Sequence, residues 1–392
     1  MPDATPARRL LLGLGPLALL ALLLVVFFRF GPAGVFRKAF PPVEELTIER
    51  VALPSVGLIE AHVVNGGPQA VRVSQVLVDD AAWTHEVVGD RTIPRLGRRT
   101  IRIPYPWVEG EPVTVTLVTS TGLTFSAEVP VATETPAPDA RYLGTFALLG
   151  IYAGVIPVFL GLLWLPFLRT LRRETVDFFL ALTVGLLFFL GVDAVAESLE
   201  LAGRVPDALQ GVGLVAIGVL TAALALTATG GGGRRTAGER PSGYLLATQI
   251  ALGIGLHNLG EGLAIGGAYA TGEIALGTSL VLGFLLHNTT EGLGIVSPLT
   301  GESPSLLRLA LLGLLAGAPT ILGAWLGGFG GSPTMSALFL SLGAGAIGAV
   351  VVQLWRLVSR DASGRRRLVP RVAAGFVTGM LVMYATGLLV VA

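Results

Sequence analysis

The sequence predicts an α-helical membrane protein carrying one small immunoglobulin-like β-sandwich, on three observations. Of 392 residues, 52% are hydrophobic and only 14% are charged, with a mean hydropathy of +0.74, well outside the usual balance of soluble domains. Nine apolar stretches are each long enough to cross a hydrocarbon core of roughly 30 Å at about 1.5 Å per residue. Between the first and second of these, residues 43–132 alternate apolar and polar side chains and are rich in Val, Thr and Ile.

The first apolar stretch, 10–30, follows Arg8 and Arg9 and ends in Phe27, Phe28, Arg29 and Phe30, where a signal peptide would carry small residues for cleavage. Residues 1–40 therefore read as an uncleaved transmembrane anchor. In 43–132, the segments 57–64, 70–78 and 112–118 read as strands, with Asn65-Gly66-Gly67-Pro68 as a hairpin turn. One immunoglobulin-like sandwich suits that length. Residues 133–141 form a linker, and eight further spans follow at about 142–168, 175–199, 206–229, 243–270, 273–297, 304–328, 333–355 and 372–391.

Charge orients this bundle. With residue 142 outside, one side holds Arg169, Arg172, Arg173, Arg234, Arg235, Arg240, Arg308, Arg356, Arg360, Arg365, Arg366, Arg367 and Arg371, and the other only Arg141 and Arg204. Arginine beside a span resists translocation, so the richer side is cytoplasmic and the β-domain extracytoplasmic. A net charge of +1 offers no case for nucleic acid as a partner; the lipid bilayer is the partner that composition names. Cysteine is absent, which removes disulfides, thiolate metal sites and cysteine nucleophiles.

Charged side chains deep in a membrane cost about 2.5–3.5 kcal/mol each on insertion scales, so each needs a partner or a role. The fourth bundle span carries His257-Asn258-Leu-Gly-Glu261-Gly262-Leu263, and the fifth His287-Asn288-Thr-Thr-Glu291-Gly292-Leu293. This is one motif, HNxxEGL, written twice. His and Glu at i and i+4, with Asn three residues before the Glu, share one helical face. The connecting turn Thr271-Gly272 lies 14 residues after His257 and 15 before His287, so an antiparallel pair sets both imidazoles at one depth, roughly 20 Å from the turn. Two carboxylates there require protons or a cation, and a divalent cation matches their charge. Imidazole with carboxylate suits Zn²⁺, Fe²⁺ or Mn²⁺; no Cys and only four Met speak against Cu(I). The bland alternative is an interhelical hydrogen-bond lock without an ion.

The doubled motif on consecutive spans of an eight-span bundle resembles the ZIP family of divalent metal transporters, in its prokaryotic branch, over residues 142–392. That resemblance implies an eight-helix 3+2+3 bundle in the cell membrane. It also implies alternating-access movement of Zn²⁺, or of Fe²⁺, Mn²⁺, Co²⁺ or Cd²⁺, into the cytoplasm, with no catalysis. It places His257, Asn258, Glu261, His287, Asn288 and Glu291 at the metal site, and no prosthetic group is called for. Asp193 and Glu197, on one face of the second span, are similar to the acidic stretch lining the family's route; they either gather cations or form a solvated cap with Glu200. Gln353 falls at a family acidic position. The chain departs from the pattern where many relatives carry Glu before a proline: Ala316-Gly317-Ala318-Pro319 lacks the carboxylate, which favours one main metal. Segment 230–243 lacks the histidines of relatives, so metal sensing by that loop finds no support.

Of the 53 glycines, several recur at four-residue spacing, such as Gly262/Gly266 and Gly313/Gly317, giving smooth faces that suit close packing, sliding or a homodimer. In the β-domain His62 and His85, with Asp79, Asp80 and Glu86 near in sequence, make a capture site conceivable; solvated surface histidines are the commoner outcome, with the domain serving assembly, gating or contact with an unknown partner. Two rival functions stay open: an intramembrane zinc hydrolase, which lacks an HExxH, and a transport-inactive metal sensor.

Overall fold

In the computed structural model, which describes residues 6–30, 43–231, 242–359 and 369–391, helices dominate and strands are confined to one stretch. Arg37, Lys38, the arginines at 234, 235, 240, 360 and 365–367, and most of the 230–243 segment lie outside the described residues. Helix α1 (Pro6–Phe30) belongs to a separate unit, 1–44. It contains Pro16, and its stretch 14–27 is exposed throughout.

The alternating segment forms nine strands: β1 (Leu46–Ser55), β2 (Leu58–Asn65), β3 (Val71–Val78), β4 (Ala81–Trp83), β5 (Glu86–Val87), β6 (Thr92–Ile93), β7 (Arg98–Ile103), β8 (Val113–Thr119) and β9 (Thr124–Val129). They pair antiparallel as β1-β2-β7-β5 and β4-β3-β8-β9, with β6 against β3. Inward residues of both sheets, among them Ile59, Ala61, Val73, Val76, Ile101, Ile103, Val115 and Leu117, meet in one core with Trp107. Period-two burial is the direct consequence of side chains alternating across a pleated strand.

The expected Asn65-Gly66-Gly67-Pro68 hairpin is not one. Strands β2 and β3 belong to different sheets, so this segment crosses between them. Asn65 is fully buried and organises the crossing: its Nδ2 donates to the carbonyls of Gln69 (2.7 Å) and Ile93 (2.8 Å), and its Oδ1 accepts from Gly67 N (2.9 Å). The true two-residue hairpins are Val56-Gly57 and Asp79-Asp80. Both aspartates have positive φ, 49° and 66°, the conformation that a twisted type I′ hairpin demands. Asn65→Ala strands the buried Ile93 carbonyl and frees that of Gln69, and is expected to cost the β-domain about 1–3 kcal/mol, measured as lower protease resistance of that domain in the intact chain. The segment called linker begins inside the domain: Thr135 exchanges bonds with Leu53 in β1, and Ala132 is a core residue.

The helices of the second part are α2 (Ala140–Gly150), α3 (Ile156–Leu162), α4 (Leu165–Thr170), α5 (Arg173–Ala202), α6 (Gly211–Gly231), α7 (Gly243–Ala270), α8 (Ile274–Val296), α9 (Leu306–Gly317), α10 (Pro319–Gly330), α11 (Pro333–Val358) and α12 (Pro370–Val391). Side-chain caps mark several starts: Asp139, Ser242, Ser305 and Ser332 each accept from a backbone N–H three residues on. Among the described residues, six helical segments are long and apolar enough to cross a membrane: 140–170, 173–202, 207–228, 306–330, 333–358 and 370–388. The motif helices α7 and α8, 28 and 23 residues long, fall outside that set because His, Asn, Glu and Gly dilute their hydropathy.

Two spans expected as continuous are interrupted. The first passes from α2 through a π-helical turn, Ile151–Val155, into α3, where Pro157 lies in the opening turn; the sixth breaks between α9 and α10 at Pro319. A proline has no N–H for the carbonyl four residues earlier, so each break leaves backbone oxygens needing another donor. Glycines sort the helices into two sets. In one, α2/α3 and α9/α10 embrace α7 and α8, with Gly161 against Gly292, Gly262 against Gly323 and Gly154 against Gly317. In the other, α5, α6, α11 and α12 approach through Gly185, Gly345, Gly375 and Gly379. Between the sets, α7 packs on α11, where Gly343 faces the His257 backbone.

Candidate metal centre

The turn Thr271-Gly272 reverses the chain between α7 and α8, and Gly272 has φ +78°, a conformation glycine adopts without strain. The two copies of the motif are thereby brought together. His287 Nε2 lies 2.6 Å from Glu261 Oε1, His257 Nε2 lies 3.2 Å from the same oxygen, and Asn288 Nδ2 donates to Glu261 Oε2 at 3.0 Å. All six motif side chains, His257, Asn258, Glu261, His287, Asn288 and Glu291, are buried. Glu261 is the hub, held by groups from both helices.

One atom each from His257, His287 and Glu291 also lie within 4.8 Å of one another, the single group of three or more His, Asp or Glu side chains with that closeness among the described residues. Both carboxylate oxygens of Glu291, together with His257 Nδ1 and the Oδ1 atoms of Asn258 and Asn288, are buried without a hydrogen-bond partner. Unpaired carboxylate oxygens in an apolar interior are costly. A set of imidazole nitrogens and carboxylate oxygens around one point is the donor set of a borderline divalent cation.

The asparagines do something that sequence reasoning missed. Asn288 Nδ2 donates to Ala153 O at 2.8 Å, and Asn258 Nδ2 donates to Ala316 O at 3.1 Å. Ala153 stands four residues before Pro157, and Ala316 three before Pro319, so each asparagine supplies an N–H to a carbonyl at a proline-broken turn. The two halves of the site repeat the same arrangement: motif helix α8 serves the break in the first span, and α7 the break in the sixth. The glycine after each Glu completes it, Gly292 against Gly161 and Gly262 against Gly323, letting the helix carrying the break approach to backbone contact. The signal was present in the sequence as Asn paired with a distant proline, but only the packing shows which proline each Asn serves. Asn258→Leu and Asn288→Leu should each destabilise the protein by about 1–3 kcal/mol, read by thermal unfolding in detergent.

Helix α11 serves as a ruler for the remaining candidates. Gly253 of α7 faces Ala346 and Ile347, Gly343 faces His257, and Gly191 of α5 faces Ile347. Asp193 and Glu197, nine and five residues from the end of α5, therefore stand level with the motif. Both are exposed, and Glu197 is within electrostatic reach of His257 and Glu261. Gln353 is half-buried and stands ten residues beyond Gly343, about 15 Å along the helix, so it does not join the cluster.

The β-domain residues do not form a capture site. Asp79 is committed to structure, accepting from Thr114 N (2.9 Å) and Tyr105 Oη (2.9 Å). His62 and His85 line separate cavities, each rich in arginine, surroundings unsuited to a cation. Burial, with Arg50 beside His62 and Arg91 beside His85, holds both imidazoles below their ordinary pKa.

No protein-family model matches the chain, and no curated protein matches it.

Proposed function

We propose that the protein is a divalent metal-ion transporter of ZIP type, carrying zinc or a similar cation across the membrane through the site built from α7 and α8. The observation that carries this reading is the convergence of His257 and His287 on Glu261, beside the unpartnered carboxylate of Glu291, in the middle of otherwise apolar helices. A hydrated cation arriving at these groups exchanges water for imidazole nitrogen and carboxylate oxygen, and its charge offsets carboxylates that the interior otherwise disfavours.

Alternating access is supported by the two helix sets. Within each, glycines allow backbone contact; between them the α7–α11 face carries glycines on both sides, Gly253 against Ala346, Gly260 against Leu340 and Gly343 against the His257 backbone, a surface along which one set can slide. In this reading α2/α3 and α7–α10 carry the cation, and α5, α6, α11 and α12 stay fixed. The 3+2+3 count of spans, the cytoplasmic placement of the arginine-rich ends and the immunoglobulin-like nature of the sandwich, supported by its strand order, belong to the same proposal. The residue before Pro319 is Ala318, and the Ala316 carbonyl there is taken by Asn258, which favours a single principal cation.

Purified protein in liposomes tests the reading: zinc accumulates inside, and competing Fe²⁺, Mn²⁺, Co²⁺ and Cd²⁺ rank its selectivity. Absence of uptake above empty liposomes overturns it. Protons compete for the imidazole lone pairs and carboxylate oxygens that bind the cation, so uptake is expected to fall as the bathing solution is taken from neutral to acidic pH. A rate that rises on acidification over that range contradicts this.

A further inference from the structure

We propose that the cavity between the β-sandwich and the ends of α10 and α11 is a binding site for a phosphate-bearing anion. The cavity encloses about 720 Å³, enough for a phosphate with part of its carrier. Arg50, Arg98, Arg99 and His62 enter it from the strands, and Ser332 and Thr334 from the first turn of α11. A register shift between Ile48 and Arg50 in β1 turns Glu49 and Arg50 toward the same side, as an inserted residue does in a β-bulge.

The charges do not cancel. Three arginines meet two carboxylates, Glu49 and Asp90; Glu49 is matched by Arg98, through two bonds of 3.1 Å, and the Asp90 carboxylate accepts from Thr92 N at 3.1 Å. Arg50 and Arg99 have only backbone carbonyls: Arg50 Nη1 donates to Phe329 O at 2.8 Å, and Arg99 donates to Asp90 O (3.1 Å) and Arg98 O (2.8 Å). Arg50 is half-buried, and burial lowers its pKa. A guanidinium partly withdrawn from water and bonded only to a backbone carbonyl favours a nearby anion. His62 is bonded to Thr100 Oγ1 at 3.1 Å, and burial, with Arg50 beside it, holds its pKa below the ordinary value.

The opposite wall supplies donors of the same sense. Helix α11 is 26 residues long, and its N-terminus presents the positive end of the helix dipole to the cavity. Thr334, in that first turn, also lines the cavity. Two guanidinium groups and a helix N-terminus approach from different directions, which suits the tetrahedral oxygens of a phosphate better than a planar carboxylate. The carrier is either a phospholipid headgroup or a free phosphate. Bound there, the anion ties the β-sandwich to the α10–α11 connection.

The test uses the intact chain in neutral, phosphate-free detergent. Inorganic phosphate is titrated calorimetrically, and nanodiscs of phosphatidylglycerol are compared with nanodiscs of phosphatidylcholine for thermal unfolding. The parent protein is expected to bind phosphate, or to unfold at higher temperature in phosphatidylglycerol; response to the lipid alone identifies a headgroup site, and response to inorganic phosphate identifies a free-anion site. Arg50→Gln with Arg99→Gln should weaken the response at least about tenfold, the value of one charge-assisted hydrogen bond. Arg72→Gln with Arg91→Gln, in a separate arginine-bearing cavity, should not change it. No response to either probe, or an undiminished response in the Arg50/Arg99 variant, overturns the proposal.

Discussion

Replacing His257 and His287 together with alanine is expected to abolish zinc uptake and to lower zinc affinity by more than about 100-fold, since loss of even an outer-shell partner of a metal ligand costs about 10–100-fold. The two imidazoles point at one oxygen, Glu261 Oε1, so each can partly cover for the other, and the single variants should fall between parent and double variant. Removing both leaves the Glu261 and Glu291 carboxylates with only amide neighbours, and they take up protons rather than a cation. His85→Ala serves as control: that ring lies in the β-sandwich beside Arg91, and its loss should leave uptake unchanged. Undiminished uptake in the double variant, measured beside that control, removes the site assignment.

A single methyl group placed in the helix contact should be nearly as damaging. At Gly292 an added Cβ would collide with the Val158 carbonyl oxygen and come within 2.8 Å of Gly161 Cα. Both obstacles are backbone, which cannot rotate away, so α3 and α8 must separate. Overpacking typically costs about 1–3 kcal/mol, and separation also threatens the Asn288 bond to Ala153, a further cost of about 1–3 kcal/mol. Gly292→Ala is therefore expected to lower the unfolding temperature and the zinc affinity together. Gly267→Ala is the contrast: it lies in the other motif helix, nothing lies within 4 Å of its added Cβ, and alanine favours a helix over glycine by about 0.8–1 kcal/mol. It should be neutral or slightly stabilising. Equal loss in both variants would mean that helix propensity, not the backbone contact, governs the effect.

Much of the architecture is legible without coordinates because it follows from periodicity. The alternation over residues 57–64, 70–78 and 112–118 foretells strands β2, β3 and β8 to within a residue, since burial on a pleated strand has a period of two. The turn at Asn65 misled because Asn-Gly suits several kinds of turn, while the buried Asn65 side chain serves a crossing whose partners, Gln69 and Ile93, are set by which sheet each strand joins. The interrupted spans are similar: Pro157 and Pro319 are visible in the sequence, but hydropathy is blind to a break that a neighbouring helix repairs.

The sequence by itself determined the chemistry at hand: two imidazoles, two amides and two carboxylates, repeated in one order at helical spacing and joined by a turn short enough to fold one copy onto the other. That follows from covalent order and the rise of an α-helix alone. Tertiary structure decided how the labour is divided. Glu261 becomes the hub and Glu291 is left unpartnered, the asparagines face backbone oxygens at the proline breaks, and Gln353 stands about 15 Å along its helix from the level of His257. These outcomes depend on the depth and rotation at which helices distant in sequence lock together, which is set by glycine-to-backbone contact between chain segments dozens to more than a hundred residues apart, and no local pattern encodes that distance.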